Sequence, residues 1–87
     1  MITKIEKFGA SWCGPCKQMD KILEELYKEM PIEITKYDVD EYEELSEEKG
    51  IRSVPTLIFY NENGEEIKRT VGSKTLQQII DIINDKN

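Results

Sequence analysis

Residues 12–16 read Trp-Cys-Gly-Pro-Cys and contain both cysteines of the chain. They lie where an apolar-leaning segment gives way to a helical pattern. A cysteine immediately before a helix meets the unpaired N–H groups and the positive dipole end of that helix, which together stabilise a thiolate. The second cysteine, one turn into the helix, is then within reach of the first. This arrangement is typical of a dithiol redox site.

Two cysteines at this spacing can also serve three other purposes. Structural zinc normally takes four Cys or His ligands, whereas this chain has two cysteines and no histidine, so a zinc site needs two chains. A purely structural disulfide that closes so short a loop removes little entropy from the unfolded chain. Two unrelated buried thiols are the third use, and the intervening Gly14-Pro15 argues against coincidence. The redox site is therefore favoured, and no metal is expected.

Size and charge bound the function. The 87 residues predict one domain, residues 1–87, with 38% hydrophobic and 34% charged residues, as in a soluble globular chain without a membrane span. A net charge of −6 repels nucleic acids and anionic membranes, so neither is expected as a partner. Lys4, Glu6 and Lys7 interrupt any secretory signal, which favours a cytoplasmic location, and we expect a monomer.

Four segments are rich in the β-branched and aromatic residues that favour strands. They are residues 2–10, 32–39, 54–60 and 67–71. Asn63-Gly64 predicts a tight turn between the last two, which makes that hairpin antiparallel. Strands that are joined through helices are expected to be parallel.

Three segments carry helical patterns. They are residues 19–30, which Pro31 terminates, a segment of about two turns that ends near Gly50, and residues 76–83. Asp40 and Glu43 have the D-x-x-E spacing of a helix N-cap for the second segment, and Ser73 or Thr75 suits the N-cap of the third. The predicted order is βαβαββα, an α/β fold with a four-stranded mixed sheet and helices on both faces.

The chain resembles thioredoxins from about Lys4 to Ile83. The segments that match the family are residues 12–17, 38–41, 50–56 and 63–64, together with Gly72. This resemblance implies a thioredoxin fold and a protein disulfide oxidoreductase, and the Gly-Pro dipeptide goes with a reducing dithiol. Thioredoxins usually carry another strand and helix before the strand that leads to the motif. The plan here is closer in size to a glutaredoxin.

The roles of the two cysteines follow from thiol–disulfide exchange. Cys13 is the candidate nucleophile that forms a mixed disulfide with a substrate, and Cys16 is the candidate resolving thiol that then attacks the Cys13 sulfur. Gly14 and Pro15 suit the tight entry to a helix, since proline needs no N–H there. Trp12 is expected to shield the site and contact substrates, although a lone tryptophan is commonly a packed aromatic residue.

Downstream positions enter through the resemblance. Pro55 resembles the cis-proline that faces the cysteines in the family, which leaves the backbone of Val54 able to pair with an extended substrate segment. Base rates alone favour an ordinary trans proline. Gly72 would leave space for the substrate backbone, while a turn glycine is an adequate alternative account.

Three lysines are candidate modulators. Thioredoxins usually place a buried aspartate six residues before the first cysteine, where this chain has Lys7, and Lys36 matches the lysine that pairs with that acid. Two cations without an acid suggest either a neutral Lys7 that accepts a proton or an ammonium that holds a thiolate. A Lys7 that snorkels to water is the favoured alternative. Lys17 would bias Cys13 toward its thiolate, unless it is an ordinary exposed helical lysine. Gly9, where the family often has an aromatic residue, suggests a more open groove.

The predicted activity is protein disulfide reduction by Cys13 and Cys16 without a bound cofactor. The expected electron donor is a flavoenzyme of the thioredoxin-reductase type, with glutathione as the alternative because the plan is glutaredoxin-sized. A second class of function is a non-catalytic interaction subunit with incidental thiols. A thiol oxidase or isomerase would be expected in an oxidising compartment.

Overall fold

The predicted order of strands and helices is found in a computed structural model, which describes residues 1–85; the last two residues of the predicted domain lie outside that range. The elements are β1 (Ile2–Gly9), α1 (Gly14–Glu29), β2 (Glu33–Asp38), α2 (Glu43–Glu48), β3 (Thr56–Asn61), β4 (Glu66–Val71) and α3 (Leu76–Ile83). Within the described residues, no helix is long and apolar enough to cross a membrane.

The four strands form one mixed sheet in the order β2-β1-β3-β4. β1 pairs with β2 in parallel and with β3 antiparallel, and β3 pairs with β4 antiparallel. The rule that helix-connected strands are parallel is therefore right for β1 and β2 but wrong for β2 and β3. The reason is that the connection between β2 and β3 does not run back along the sheet: Phe8 pairs both with Tyr37 near the end of β2 and with Thr56 at the start of β3. The chain thus enters β3 at the same end of the sheet at which it leaves β2.

Alternate residues of the central strands serve two cores, one on each face of the sheet. The core under α1 and α3 contains Ile5, Met19, Leu23, Leu26, Ile32, Leu57, Phe59 and Ile79. The core on the opposite face contains Phe8, Ile58 and Tyr60, against which Leu45 of α2 packs. Each fully buried Leu, Ile or Phe side chain contributes about 1.5–3 kcal/mol. Helices thus cover both faces, as predicted.

The ends of α1 place the cysteine motif at one end of the sheet. Cys13 is the N-cap, and Pro15 lies in the first turn, where its missing N–H is not needed. At the other end the N–H of Met30 donates to the carbonyl of Leu26 at 2.7 Å, and Pro31 follows. The predicted end of this helix is confirmed.

The N-cap prediction for α2 is wrong. α2 begins after Tyr42 without a side-chain cap, and Asp40 lies in a preceding turn in which the N–H of Tyr42 donates to the carbonyl of Asp38 at 2.9 Å. The Asp40 carboxylate instead accepts a hydrogen bond from Trp12 Nε1 at 3.0 Å. The Asp40 side chain therefore bonds to a residue that is distant in the sequence and does not cap α2. The predicted end near Gly50 is confirmed, since Gly50 has a φ of +70° immediately after the C-cap.

The hairpin turn and the N-cap of α3 follow the sequence patterns. The N–H of Gly64 donates to the carbonyl of Asn61 at 3.0 Å, and Gly64 adopts a φ of +79°. Of the two candidate caps, Thr75 is the one used: its hydroxyl accepts from the N–H of Gln78 at 3.1 Å, and the Gln78 side chain accepts from the N–H of Thr75 at 2.9 Å. This reciprocal pair is a capping box.

Candidate active site

Cys13 and Cys16 form a disulfide at the N-terminus of α1. The sulfur of Cys13 also accepts a hydrogen bond from the N–H of Cys16 at 3.1 Å. Cys13 therefore occupies the N-cap, where the free N–H groups and the dipole of α1 favour a negative charge on sulfur once the disulfide is reduced. Cys13 is 5% exposed and Cys16 is 1% exposed. Cys13 is thus the more exposed residue of a buried pair.

A second loop, the one that precedes β3, meets the cysteines at the same end of the sheet. The Val54–Pro55 peptide bond is cis, as the resemblance implied. Val54 packs against the cluster formed by Ala10 and the two cysteines. Residues more than forty positions apart in the sequence are therefore neighbours at the end of α1.

Gly72 lies beside Pro55, because its N–H donates to the Pro55 carbonyl at 2.9 Å. It adopts a φ of +88°, and a Cβ atom built there meets nothing within 4 Å. The open space matches the predicted room for a substrate backbone, while the positive φ explains the glycine equally well. Both accounts of this residue agree with its position.

Trp12 lines a groove next to the disulfide. Its ring is 70% exposed, and Nε1 donates to Asp40, which fixes the ring relative to the loop before α2. The groove has a volume of about 430 Å³ and is lined by Trp12, Val39, Ile51, Arg52, Ser53 and Val54. Asp40 and Arg52 are site residues that the sequence reasoning missed. Both lie inside segments that match the family, Asp40 in residues 38–41 and Arg52 in residues 50–56, and that match is the signal that could have identified them.

Lys7 is buried rather than snorkelling, so the favoured sequence interpretation of this residue is wrong. It is 6% exposed, and its ammonium donates to Asp20 Oδ1 at 2.7 Å. Lys36 reaches the same carboxylate oxygen at 3.5 Å. The two cations therefore do share an acid, which α1 supplies. Asp20 lies four residues after Cys16, and this helical spacing is the signal that places both on one face of α1.

The remaining predicted residues lie at the surface of the motif or beside it. Gly14, Pro15 and Lys17 are exposed on the first turns of α1. The space beside Gly9 is not open, contrary to expectation, because a Cβ atom there would lie 2.7 Å from Cε and 2.9 Å from Nζ of Lys7. The lysine fills the volume that a side chain at position 9 would occupy.

A family model described as Thioredoxin matches residues 3–85. The chain belongs to the thioredoxin family. It is 40% identical over 78 residues to the thioredoxin of Chlamydia muridarum, an alignment that covers 88% of this chain and 76% of that protein. Identity to the thioredoxin of Bacillus subtilis is also 40%, over 79 residues, with 88% of this chain and 75% of the relative covered.

Solved structures agree with these sequence relatives. A mutant thioredoxin from Halobacterium salinarum superimposes with a TM-score of 0.88 at 33% identity, covering 94% of this chain and 72% of that one. Family membership and the Cys13–Cys16 disulfide make this thioredoxin a thiol–disulfide oxidoreductase whose substrates are protein disulfides. The resemblance and the fold class predicted from the sequence are both confirmed.

Proposed function

We propose that this thioredoxin reduces protein disulfides with Cys13 as the attacking sulfur and Cys16 as the resolving sulfur. The position of Cys13 at the N-cap of α1, as the more exposed residue of the pair, is the observation that carries this assignment. An N-cap thiolate at Cys13 is stabilised by the helix, and Cys13 is the more exposed of the two residues, whereas the 1% exposed Cys16 needs to reach only the Cys13 sulfur of the mixed disulfide.

The exchange has two steps. The Cys13 thiolate attacks one substrate sulfur, a mixed disulfide forms, and the other substrate sulfur leaves as a thiolate. The Cys16 thiolate then attacks the Cys13 sulfur, which releases the second substrate thiolate and forms the Cys13–Cys16 disulfide. Two electrons pass from the enzyme dithiol to the substrate. Neither step uses a bound cofactor.

The groove beside the disulfide is the proposed substrate-binding surface. An extended substrate segment would lie along the backbone of Val54 and Pro55, with the open side of Gly72 adjacent to it. The exposed ring of Trp12 provides apolar area in the groove, and the exposed Gly14 and Pro15 begin α1 next to Cys13. The positive charge of Arg52 on one wall of the groove favours substrate segments that carry acidic residues.

Trapping tests the order of the two cysteines. With Cys16→Ser, the mixed disulfide has no resolving sulfur, so a covalent complex with a disulfide-containing protein accumulates on a non-reducing gel. With Cys13→Ser, much less covalent complex is expected to accumulate, because the remaining sulfur of Cys16 is buried. Equal trapping by both variants would contradict the assignment. Binding of a protein partner by the double serine variant, without disulfide reduction by the wild type, would instead support an interaction subunit.

The proposed electron donor is a flavoenzyme of the thioredoxin-reductase type. The protein itself is proposed to act in the cytoplasm as a monomer. The Gly14-Pro15 dipeptide supports this donor through the family resemblance. Insulin reduction coupled to such a reductase is expected to exceed the rate with glutathione at equal reducing equivalents. A faster reaction with glutathione would assign the protein to the alternative donor. A strongly oxidising potential in a redox titration of the pair would contradict the reductase function.

A further inference from the structure

A charged pair lies beneath the disulfide, between the sheet and α1. Lys7 lies on β1, a central strand that pairs in parallel with β2, and its side chain is 7% exposed. Its ammonium is 2.7 Å from Asp20 Oδ1, and that carboxylate is 36% exposed. A buried cation of this kind requires a partner, because desolvation of an isolated ammonium is very costly. Asp20 provides that partner and fixes the position of the ammonium.

The ammonium is also close to the sulfur of Cys16. A Cβ atom built on Gly9 would lie 2.9 Å from Lys7 Nζ and 3.2 Å from Cys16 Sγ, so the two atoms border the same small space and lie within about 6 Å of each other. Any larger residue at position 9 would occupy this space. Glycine therefore allows the cation to approach the sulfur from the side of the sheet.

The cost of forming a thiolate at Cys16 makes this proximity significant. Cys16 is 1% exposed, and burial disfavours a charged sulfur. Cys13 occupies the N-cap of α1, whereas Cys16 lies one turn further in and does not face the first free N–H groups. An opposite charge within about 6 Å is the effect that offsets burial.

We propose that the Lys7 ammonium, held in place by Asp20, stabilises the Cys16 thiolate and thereby accelerates the resolving step. This inference rests on the proposed role of Cys16 as the resolving sulfur. Lys7 and Asp20 are positioning residues that do not exchange a proton with the substrate. The proton of the Cys16 thiol goes to water, and Lys7 does not take it up.

The other charged groups at this end of the sheet are on β2: Lys36, the register partner of Lys7, and Asp38, the register partner of Gly9. Lys36 reaches Asp20 at 3.5 Å, so two cations share one carboxylate. From β3, the register partner of Lys7 is the buried apolar Leu57. Cys13 is the other titratable group that faces Cys16 from α1. Asp38 Oδ1 accepts a hydrogen bond from the N–H of Asp40, and among these charged groups the Lys7 ammonium is the one that borders the space next to Cys16 Sγ.

Stopped-flow kinetics can separate the two sulfurs. The reduced protein is mixed with an aromatic disulfide that releases a coloured thiolate in each step: the first release reports attack by Cys13 and the second reports attack by Cys16. With Lys7→Met, the pH midpoint of the second phase is expected to rise by about one unit, which makes resolution about tenfold slower below the midpoint. The first phase is expected to change much less.

Matched variants keep the test decisive. Lys21→Met removes the same charge from an exposed position on α1 and is expected to leave the second phase within about twofold of the wild type. Lys7→Gln keeps an N–H donor for Asp20 and replaces Lys7→Met if that variant does not fold. An unchanged second-phase midpoint in a folded Lys7 variant would overturn the inference. A wild type that lacks the first phase would instead contradict the proposed reductase function.

Discussion

Removal of the acid from the Lys7–Asp20 pair is predicted to destabilise the protein more than removal of the base. Asp20→Asn leaves a 7% exposed ammonium without its carboxylate, a change that costs about 3–5 kcal/mol for a fully buried pair. Water reaches the 36% exposed side of Asp20, which reduces the expected loss to about 2–3 kcal/mol. For a domain of this size, that loss lowers the Tm by roughly 10–20 °C.

Lys7→Met has the smaller predicted cost, about 1 kcal/mol or less, because methionine fills the same apolar path and Asp20 keeps Lys36 and water as partners. In the double variant the two losses are not additive, and the expected coupling free energy is about 1–2 kcal/mol. The two singles and the double variant form a complete cycle.

Urea unfolding of the oxidised proteins at neutral pH measures these differences. Asp85→Asn makes the same chemical change at an exposed position and is expected to stay within about 0.5 kcal/mol of the wild type. An Asp20→Asn protein as stable as this control, or a Lys7→Met protein less stable than Asp20→Asn, would refute the argument that Asp20 compensates a buried charge. Since the ammonium of Lys7 is buried and lies 2.7 Å from the carboxylate, added salt is expected to weaken the coupling less than it weakens a fully exposed ion pair.

Four further predictions concern stability and ionisation. A hydrogen bond from Arg69 lowers the pKa of Glu66 from its ordinary 4.5, so Glu66→Gln should cost about 0.5 kcal/mol at neutral pH. This difference should disappear as the pH falls through the lowered pKa, and a constant difference in acid would exclude the pair as its source. The Tyr60 hydroxyl donates to the buried Glu6 carboxylate, so Tyr60→Phe should cost about 1–3 kcal/mol in urea unfolding; a loss below that range would mean that other donors satisfy Glu6. Burial and the same contact with Glu6 raise the pKa of Tyr60, which should therefore resist ionisation in an alkaline absorbance titration that a free tyrosine completes. Thr75→Ala removes the capping-box acceptor and should lower stability by about 1 kcal/mol, and an unchanged Tm would show that the first turn of α3 does not need its cap.

Local patterns determined most of the secondary structure. The three- and four-residue spacing of apolar side chains located α1 and α3, and Pro31 and Gly50 marked helix ends because neither effect depends on distant residues. The helix-start position of Cys13 likewise follows from sequence neighbours alone. The chemistry of the dithiol could therefore be predicted from the sequence alone.

Tertiary structure alone decided the surroundings of that dithiol. Asp40 has the spacing of a cap, yet it binds Trp12, which is 28 residues away in the sequence. Lysine is usually a surface residue, yet Lys7 is buried. The packing of α1 on the sheet places Asp20, 13 residues further along the chain, within hydrogen-bond distance of its ammonium. The direction of β3 likewise depended on the path of the connection through α2, which begins and ends at one end of the sheet.

The sequence by itself determined which segments are helices and strands and which sulfur begins a helix, because those properties arise from hydrogen bonds and side-chain spacing within a few residues. The tertiary structure decided what faces the second sulfur. The charge next to Cys16 depends on how two elements pack, and the electrostatic cost or gain of a buried group is set by neighbours that the local sequence does not specify.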